Sequence, residues 1–328
     1  MKTDIFYAIE NILPIKRMRR VILSITCNCN SRCKTCFIWK KKRKDEMSLD
    51  DFRKFAETEL FKKIRFLSLT GGEPFLRGDI DEIVNIFKQK NPNLHIAILT
   101  NALLPDRIYE KVQKMPKDIS ISLSLNGNEN THDEIRGVKG NFKKLLETIE
   151  NLKKLNIPMS FIFTVTKENY NQVLWAWNFA KENNINILFN PEMEYGRLET
   201  EKGRDLDDSQ KKAVLDQLKK IYSERKRGFF DYTYLLFFKK LYSKKTVTNL
   251  CHAGTDSIFI DYNGNIYPCE NLVGKIPPFG NIKTDIKIPE DYSKEIRNMK
   301  CYENCFLECE MVRNLRKHPI KTIIERNN

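Results

Sequence analysis

Four cysteines fall within ten residues, in "CNCNSRCKTC" from Cys27 to Cys36. Thiols packed this densely hold metals or carry out redox chemistry, and in a reducing compartment they do not persist as disulfides. The chain has nine cysteines, an odd number, gathered into Cys27–Cys36, Cys251–Cys269 and Cys301–Cys309. Within the first group Cys29, Cys33 and Cys36 form C-x3-C-x2-C. A loop of that spacing can wrap three thiolates around three corners of an iron–sulfur cubane and leave one iron open. An open metal position can bind a substrate or cofactor, whereas a closed cluster only passes electrons. Cys27 stands outside the pattern and reads as a buried thiol at a strand end, because buried cysteine is commonly inert.

A second group lies at residues 71–74, "GGEP". Gly71 and Gly72 allow a tight turn and a close approach of backbone to a ligand. Glu73 can accept a hydrogen bond from a ligand ammonium, and Pro74 fixes the direction in which the chain leaves.

These groups must be positioned by regular elements. Apolar, β-branched runs predict strands at 20–26, 64–70, 95–100, 119–125, 160–166 and 186–190. Between them, periodicity predicts helices near 48–60, 79–90, 104–115, 139–155 and 168–183, with Ser48 and Asp79 at N-cap positions. Six alternating units form a parallel sheet, as an open or partial barrel or as a doubly wound sheet. Either arrangement puts chemistry at the carboxyl ends of the strands. The cysteine loop follows the first strand, "TGGEP" the second, "TNA" (100–102) the third and "SLNGN" (124–128) the fourth. Beyond residue 200 the pattern changes to a polar helix over 205–227, an aromatic run over 229–242 and a hairpin over 257–270. A two-residue turn at Asn263-Gly264 puts Cys269 opposite Ile258. A boundary within 225–250 divides the chain into domains 1–225 and 226–328.

"CNSRCKTC" after a first strand, with "GGEP" after the second, resembles the radical S-adenosylmethionine (radical SAM) superfamily. The resemblance covers roughly residues 20–190 and implies a partial (βα)6 barrel, an α/β fold. It implies that Cys29, Cys33 and Cys36 ligate a [4Fe-4S] cluster whose fourth iron chelates SAM. An electron from the cluster then yields methionine and a 5′-deoxyadenosyl radical, which takes a hydrogen atom from substrate. "GGEP" (Gly71, Gly72, Glu73, Pro74) is assigned to the methionine amino group. Ser124 and Asn126, with Ser122, are candidates for the ribose, and Thr164 and Asn190 sit at comparable strand ends. The residue before the third cysteine, commonly aromatic in this superfamily, is here Thr35; Phe37 and Trp39 follow the cysteine and are candidates to pack on the adenine side.

Cys251 and Cys269 bracket the hairpin as C-x12-G-x4-C, and Cys301, Cys305 and Cys309 follow as C-x3-C-x3-C. Four such thiolates suit zinc or an iron–sulfur cluster. This arrangement, with "HDEIRGVKGNF" (132–142), resembles the small cysteine-rich C-terminal SPASM or twitch extension of some radical SAM enzymes. It implies one auxiliary [4Fe-4S] cluster on Cys251, Cys269, Cys305 and Cys309, with Cys301 spare or substituting for Cys305. Such a cluster could accept the electron left on the substrate, making the reaction a net oxidation, or bind the substrate directly.

Composition bounds the rest. The chain has 328 residues, 41% of them hydrophobic, which is enough for a core without disulfides. No run approaches the roughly 20 apolar residues of a membrane span, and the N-terminus does not read as a secretory signal, so a cytoplasmic location is expected. The net charge of +14 fits an anionic partner or a lysine-rich source proteome, the latter favoured. The run Lys40 to Lys44 reads as a solvated loop, or as a surface steering an acidic substrate or a reductant such as flavodoxin or ferredoxin. His252, beside Cys251, is a candidate proton donor. The leading expectation is a radical SAM oxidoreductase acting on a small or anionic substrate. Fewer than 30 residues precede the cluster loop, too few for a separate peptide-recognition domain. A peptide-modifying SPASM maturase, forming thioethers or epimers, is the alternative. A non-catalytic basic metal-bearing protein that binds nucleic acid is disfavoured, because it leaves the strand-end glycines and cysteines unexplained.

Overall fold

The computed structural model describes residues 19–41, 45–192, 205–224 and 256–284, with Leu235, Phe238, Lys239, Tyr242, Ala253 and Gly254. Strands β1 (Arg20–Thr26), β2 (Phe66–Gly71), β3 (His95–Thr100), β4 (Ile119–Leu125), β5 (Met159–Val165) and β6 (Asn186–Pro191) run parallel. Their spatial order is β6-β5-β4-β3-β2-β1. A doubly wound sheet reverses its strand order at a switch point. This one never reverses, so the α/β core winds as a partial (βα)6 barrel.

The helices are α1 (Leu49–Glu57), α2 (Glu59–Lys63), α3 (Ile80–Lys90), α4 (Pro105–Val112), α5 (Glu129–Arg136), α6 (Asn141–Lys154), α7 (Val173–Asn183) and α8 (Asp208–Glu224). The helix expected over 48–60 is two helices. Thr58 is extended and its hydroxyl caps the second by accepting from the Phe61 N–H. Ser48 caps α1 in a reciprocal pair with Asp51. Asp79 precedes α3 without capping it, because its carboxylate is held by the Arg77 guanidinium at 2.7 Å. The sequence reading missed α5, which is short and polar; Asn128 caps its start and left-handed Gly137 ends it. Phe52, Phe55, Phe61 and Phe87 pack edge to face, tying α1 and α2 to α3.

The C-terminal hairpin continues the same sheet. Strand β7 (Ser257–Ile260) pairs parallel with β1, and β8 (Asn265–Tyr267) and β9 (Gly280–Asn281) follow antiparallel. The hairpin loop is longer by one residue than expected. Asp261 pairs with Asn265 through the Asp261 N–H, 3.0 Å from the Asn265 carbonyl, and Gly264 closes the loop at φ +90°. The Asp261 carboxylate causes this, accepting from the N–H groups of Asn263 and Asn265 at 2.9 Å each. Phe259 therefore faces Tyr267 and Ile260 faces Ile266, one step from the register that would put Cys269 opposite Ile258.

Candidate active site

Three loops meet at the carboxyl ends of β1, β2 and β3. A buried ion network pins the first. The Glu46 carboxylate accepts from the Thr26 hydroxyl at 2.8 Å and from the Cys27 N–H at 2.9 Å. Arg77 lies 3.9 Å from Glu46 and donates to the carbonyls of Ile25 and Met47. Cys27 is fully buried behind this network.

The second loop lies directly on the first. The Gly72 N–H donates to the Thr26 carbonyl at 2.8 Å and the Glu73 N–H to the Asn28 carbonyl at 2.7 Å. A Cβ on Gly71 would fall 2.2 Å from the Thr26 oxygen, and one on Gly72 would fall 2.0 Å from the Asn28 oxygen. The close approach expected of these glycines is thus to the chain's own backbone. The Glu73 carboxyl is buried and committed: it accepts from the Phe75 N–H, the Thr100 hydroxyl and the Asn101 N–H at 3.1, 2.8 and 2.7 Å. Burial pushes its pKa up, and the three donors pull it back. Glu73 holds the end of β3 in place and Pro74 opens the short 3-10 helix Pro74–Leu76. Unlike the two glycines, neither lines the adjoining cavity.

That cavity, about 250 Å³, opens between the loops and is walled by Cys29, Cys33 and Cys36 together with Gly71 and Gly72. Ser122 and Ser124 of β4, Ile162 and Thr164 of β5, and Asn190 of β6 face it. These are alternate residues, as strand geometry requires. Asn126 is not among them. It is buried, its main-chain N–H donating to His132 Nδ1 and its main-chain carbonyl accepting from the Asn169 side-chain amide. Among the lining residues that sequence reasoning missed are Asn101, Arg136, Glu192 and Glu270. Asn101 lay in "TNA" and Arg136 in "HDEIRG", but nothing in the spacing showed that they face the cysteines.

Helix α5 buttresses the cysteine loop. The N–H groups of Arg32 and Lys34 donate to the carbonyls of Arg136 and Ile135, at 2.9 Å each. These are last-turn carbonyls that a helix leaves unpaired. Gly137, at φ +63°, makes the contact possible, since a Cβ there would sit 2.4 Å from the Arg32 oxygen. The Asp133 carboxylate accepts from the N–H groups of Gly140 and Phe142, which turns the chain into α6. His132 is buried, and burial lowers its pKa to about 3. Cys29 responds the opposite way: burial pushes its thiol up, while the Ser31 N–H and the charge of Arg136 pull it down.

The hairpin reaches the same place. Cys269 caps the short 3-10 helix Glu270–Leu272, its sulfur accepting from the Asn271 N–H at 3.4 Å, and Glu270 walls the cavity. Cys251, His252, Cys301, Cys305, Cys309, Lys42 to Lys44, most of the aromatic run and the domain boundary lie outside the described residues.

Comparison with known proteins names this arrangement. A family model of the radical SAM superfamily matches residues 23–179, and one of the SPASM iron–sulfur cluster-binding domain matches residues 251–310. The chain belongs to the radical SAM superfamily and carries a SPASM domain. Its cofactors are accordingly SAM with a [4Fe-4S] cluster and an auxiliary iron–sulfur cluster. An uncharacterised protein of Methanocaldococcus jannaschii is 28% identical over 88% of this chain and 96% of its own length. The AdoMet-dependent heme synthase of Methanosarcina barkeri is 30% identical over 50% of this chain and 47% of its own. The subtilosin biosynthesis protein AlbA of Bacillus subtilis is 27% identical over 80% of this chain and 56% of its own. The chain thus spans about half the length of these two relatives of stated role. The crystal structure of Streptococcus suis SuiB bound to precursor peptide SuiA shares the fold, with a TM-score of 0.68 at 17% identity over 94% of this chain and 76% of that one. Among the described residues no helix of this radical SAM protein is long and apolar enough to cross a membrane.

Proposed function

We propose that this chain is a radical SAM enzyme that oxidises its substrate, with Cys29, Cys33 and Cys36 holding the SAM-binding cluster and the SPASM cluster accepting the second electron. One observation carries the reading: Glu270, the neighbour of Cys269, walls the same cavity as the three N-terminal cysteines. A cluster ligated through Cys269 would thus stand beside the substrate, where it can collect an electron.

The donor set fits the cluster. Three cysteines outside any disulfide open on one cavity, as three corners of a cubane require. No three His, Cys, Asp or Glu side chains among the described residues are grouped to hold a single ion, and a cubane needs no such convergence because each thiolate binds its own iron. When bound, the cluster and SAM supply the hydrogen-abstracting radical. The protein's own residues orient it. Arg136 would offer a cation to the methionine carboxylate, the Gly71-Gly72 backbone would meet the amino end, and Ser122, Ser124, Thr164 and Asn190 would offer hydroxyls and an amide to the nucleoside. Glu73 and Asn126 act behind this layer as positioning residues. Cys251, Cys305 and Cys309, with Cys301 as substitute, complete the auxiliary site.

A peptide substrate is favoured over a small anionic one. The likeness to AlbA extends over 80% of the chain, beyond the half matched by the heme synthase, and the SuiB structure of the same fold holds a precursor peptide. Glu192 and Glu270 on the wall also disfavour an anion. A flavodoxin or ferredoxin in the cytoplasm would supply the electron.

Anaerobic reconstitution with iron and sulfide, then dithionite and SAM, tests the reading. Release of 5′-deoxyadenosine is expected, and it should vanish in Cys29→Ala, Cys33→Ala or Cys36→Ala. Cys269→Ala should keep that release but yield no peptide lighter by two hydrogens. Full product yield from Cys269→Ala would refute the electron-acceptor role.

A further inference from the structure

Asn101, directly after β3, is 3% exposed, and every polar group it has is engaged. Its N–H donates to Glu73 at 2.7 Å and its carbonyl accepts from the Asn141 side-chain amide at 3.0 Å. Its side-chain oxygen accepts from the Leu103 N–H at 3.0 Å. That bond decides the orientation of the carboxamide, because only the oxygen can face an N–H donor. The amino end must then point the other way. There it donates to the Asn30 side-chain oxygen at 2.7 Å and lies 3.8 Å from the Cys29 sulfur. One amide nitrogen has two hydrogens and can serve both acceptors.

The turn that carries it is fixed. Ala102 adopts φ +59°, which is costly for a side-chain-bearing residue. It is held there by its N–H on the Thr100 hydroxyl and its carbonyl on the Thr148 hydroxyl, both 3.1 Å. The strained turn aims one amide N–H at one thiol of the cavity.

We infer that Asn101 donates a hydrogen bond to the Cys29 thiolate and so raises the reduction potential of the cluster held by Cys29, Cys33 and Cys36, an inference that rests on the cluster assignment proposed above. A donor on a ligating sulfur stabilises the reduced, more negative cluster more than the oxidised one. Asn101 is thus a positioning and tuning residue for electron entry.

The test is a redox titration followed by EPR, without SAM, on the anaerobically reconstituted full chain. For Asn101→Leu the ratio of reduced to oxidised cluster at a fixed potential should fall about threefold to tenfold, tenfold being about 59 mV for a one-electron couple. Asn30→Ala removes the other acceptor and keeps the sulfur contact, so its ratio should stay within about twofold of the unsubstituted chain. An unchanged ratio in Asn101→Leu overturns the inference, and so does an equal shift in Asn30→Ala, which would make loop shape the cause. If Asn101→Leu takes up no cluster, the Asn30→Ala protein decides. With asparagine labelled by nitrogen-15 in the side-chain amide alone, its reduced cluster must show an amide nitrogen coupled at hydrogen-bond range in pulsed EPR, and no coupling overturns the inference. A parent chain that binds no cluster on these cysteines sinks the assignment as well; a parent that binds one with Asn101→Leu unshifted sinks only the role of Asn101.

Discussion

At the scale of single residues, the buried polar groups behind the cavity carry consequences of their own. Glu73 accepts from three donors, so Glu73→Gln would turn an N–H toward one of them. The expected cost is about 1–3 kcal/mol, read as a lower urea midpoint. His132 gives a pH dependence of known sign. Burial holds it at about 3 in the folded protein against an ordinary 6.5. Between those values the unfolded chain binds a proton that the native one refuses. Stability therefore falls as pH drops from about 6.5, by roughly 2 kcal/mol at about pH 5. His132→Gln should remove that share of the slope in denaturation curves at the two pH values. "HDEIRG" was visible in the sequence as a motif. That its histidine is a neutral core acceptor and its arginine a cavity wall was not, because both depend on what α5 packs against.

At the scale of elements, the meeting of α5 with the cysteine loop depends on one missing side chain. Gly137→Ala should push the Arg32 backbone away and lower the iron bound per chain. Gly137→Asn separates two causes. Asparagine tolerates a left-handed backbone but still carries a Cβ, so its failure would show that the close contact is what matters, whereas its recovery would point to the dihedral. Strand positions were legible because buried parallel strands are continuous apolar runs. The hairpin register was not, since the Asp261 carboxylate bends the turn from within and adds a residue that a bare Asn-Gly pair does not announce.

At the scale of the whole molecule, the SPASM-side hairpin covers an edge. Strand β7 pairs with β1, and Ile258, Ile260 and Ile266 join the main core. A chain ending at residue 250 would expose the hydrogen-bonding edge of β1 beside the cysteine loop. It is expected to aggregate, which size-exclusion chromatography under anaerobic conditions would reveal. The charge surplus tells less. Many lysines pair with carboxylates one turn away, as in Lys54–Asp50, Lys62–Glu59 and Lys219–Asp216. Such exposed pairs contribute little and mark solvated helix faces rather than a binding surface.

Local order alone determined the strand sequence, the cysteine triplet and the glycine pair, because periodicity, spacing and the absence of a Cβ are properties of neighbouring residues. Only the tertiary structure decided that strands β1 to β6 never reverse their order, that Glu73 and Asn126 are buried without lining the cavity, and that Asn101, Arg136 and Glu270 share it with Cys29. Residues 101, 136 and 270 are brought to one point by strand order and helix packing, which balance burial over the whole chain and leave no mark in any short stretch of it.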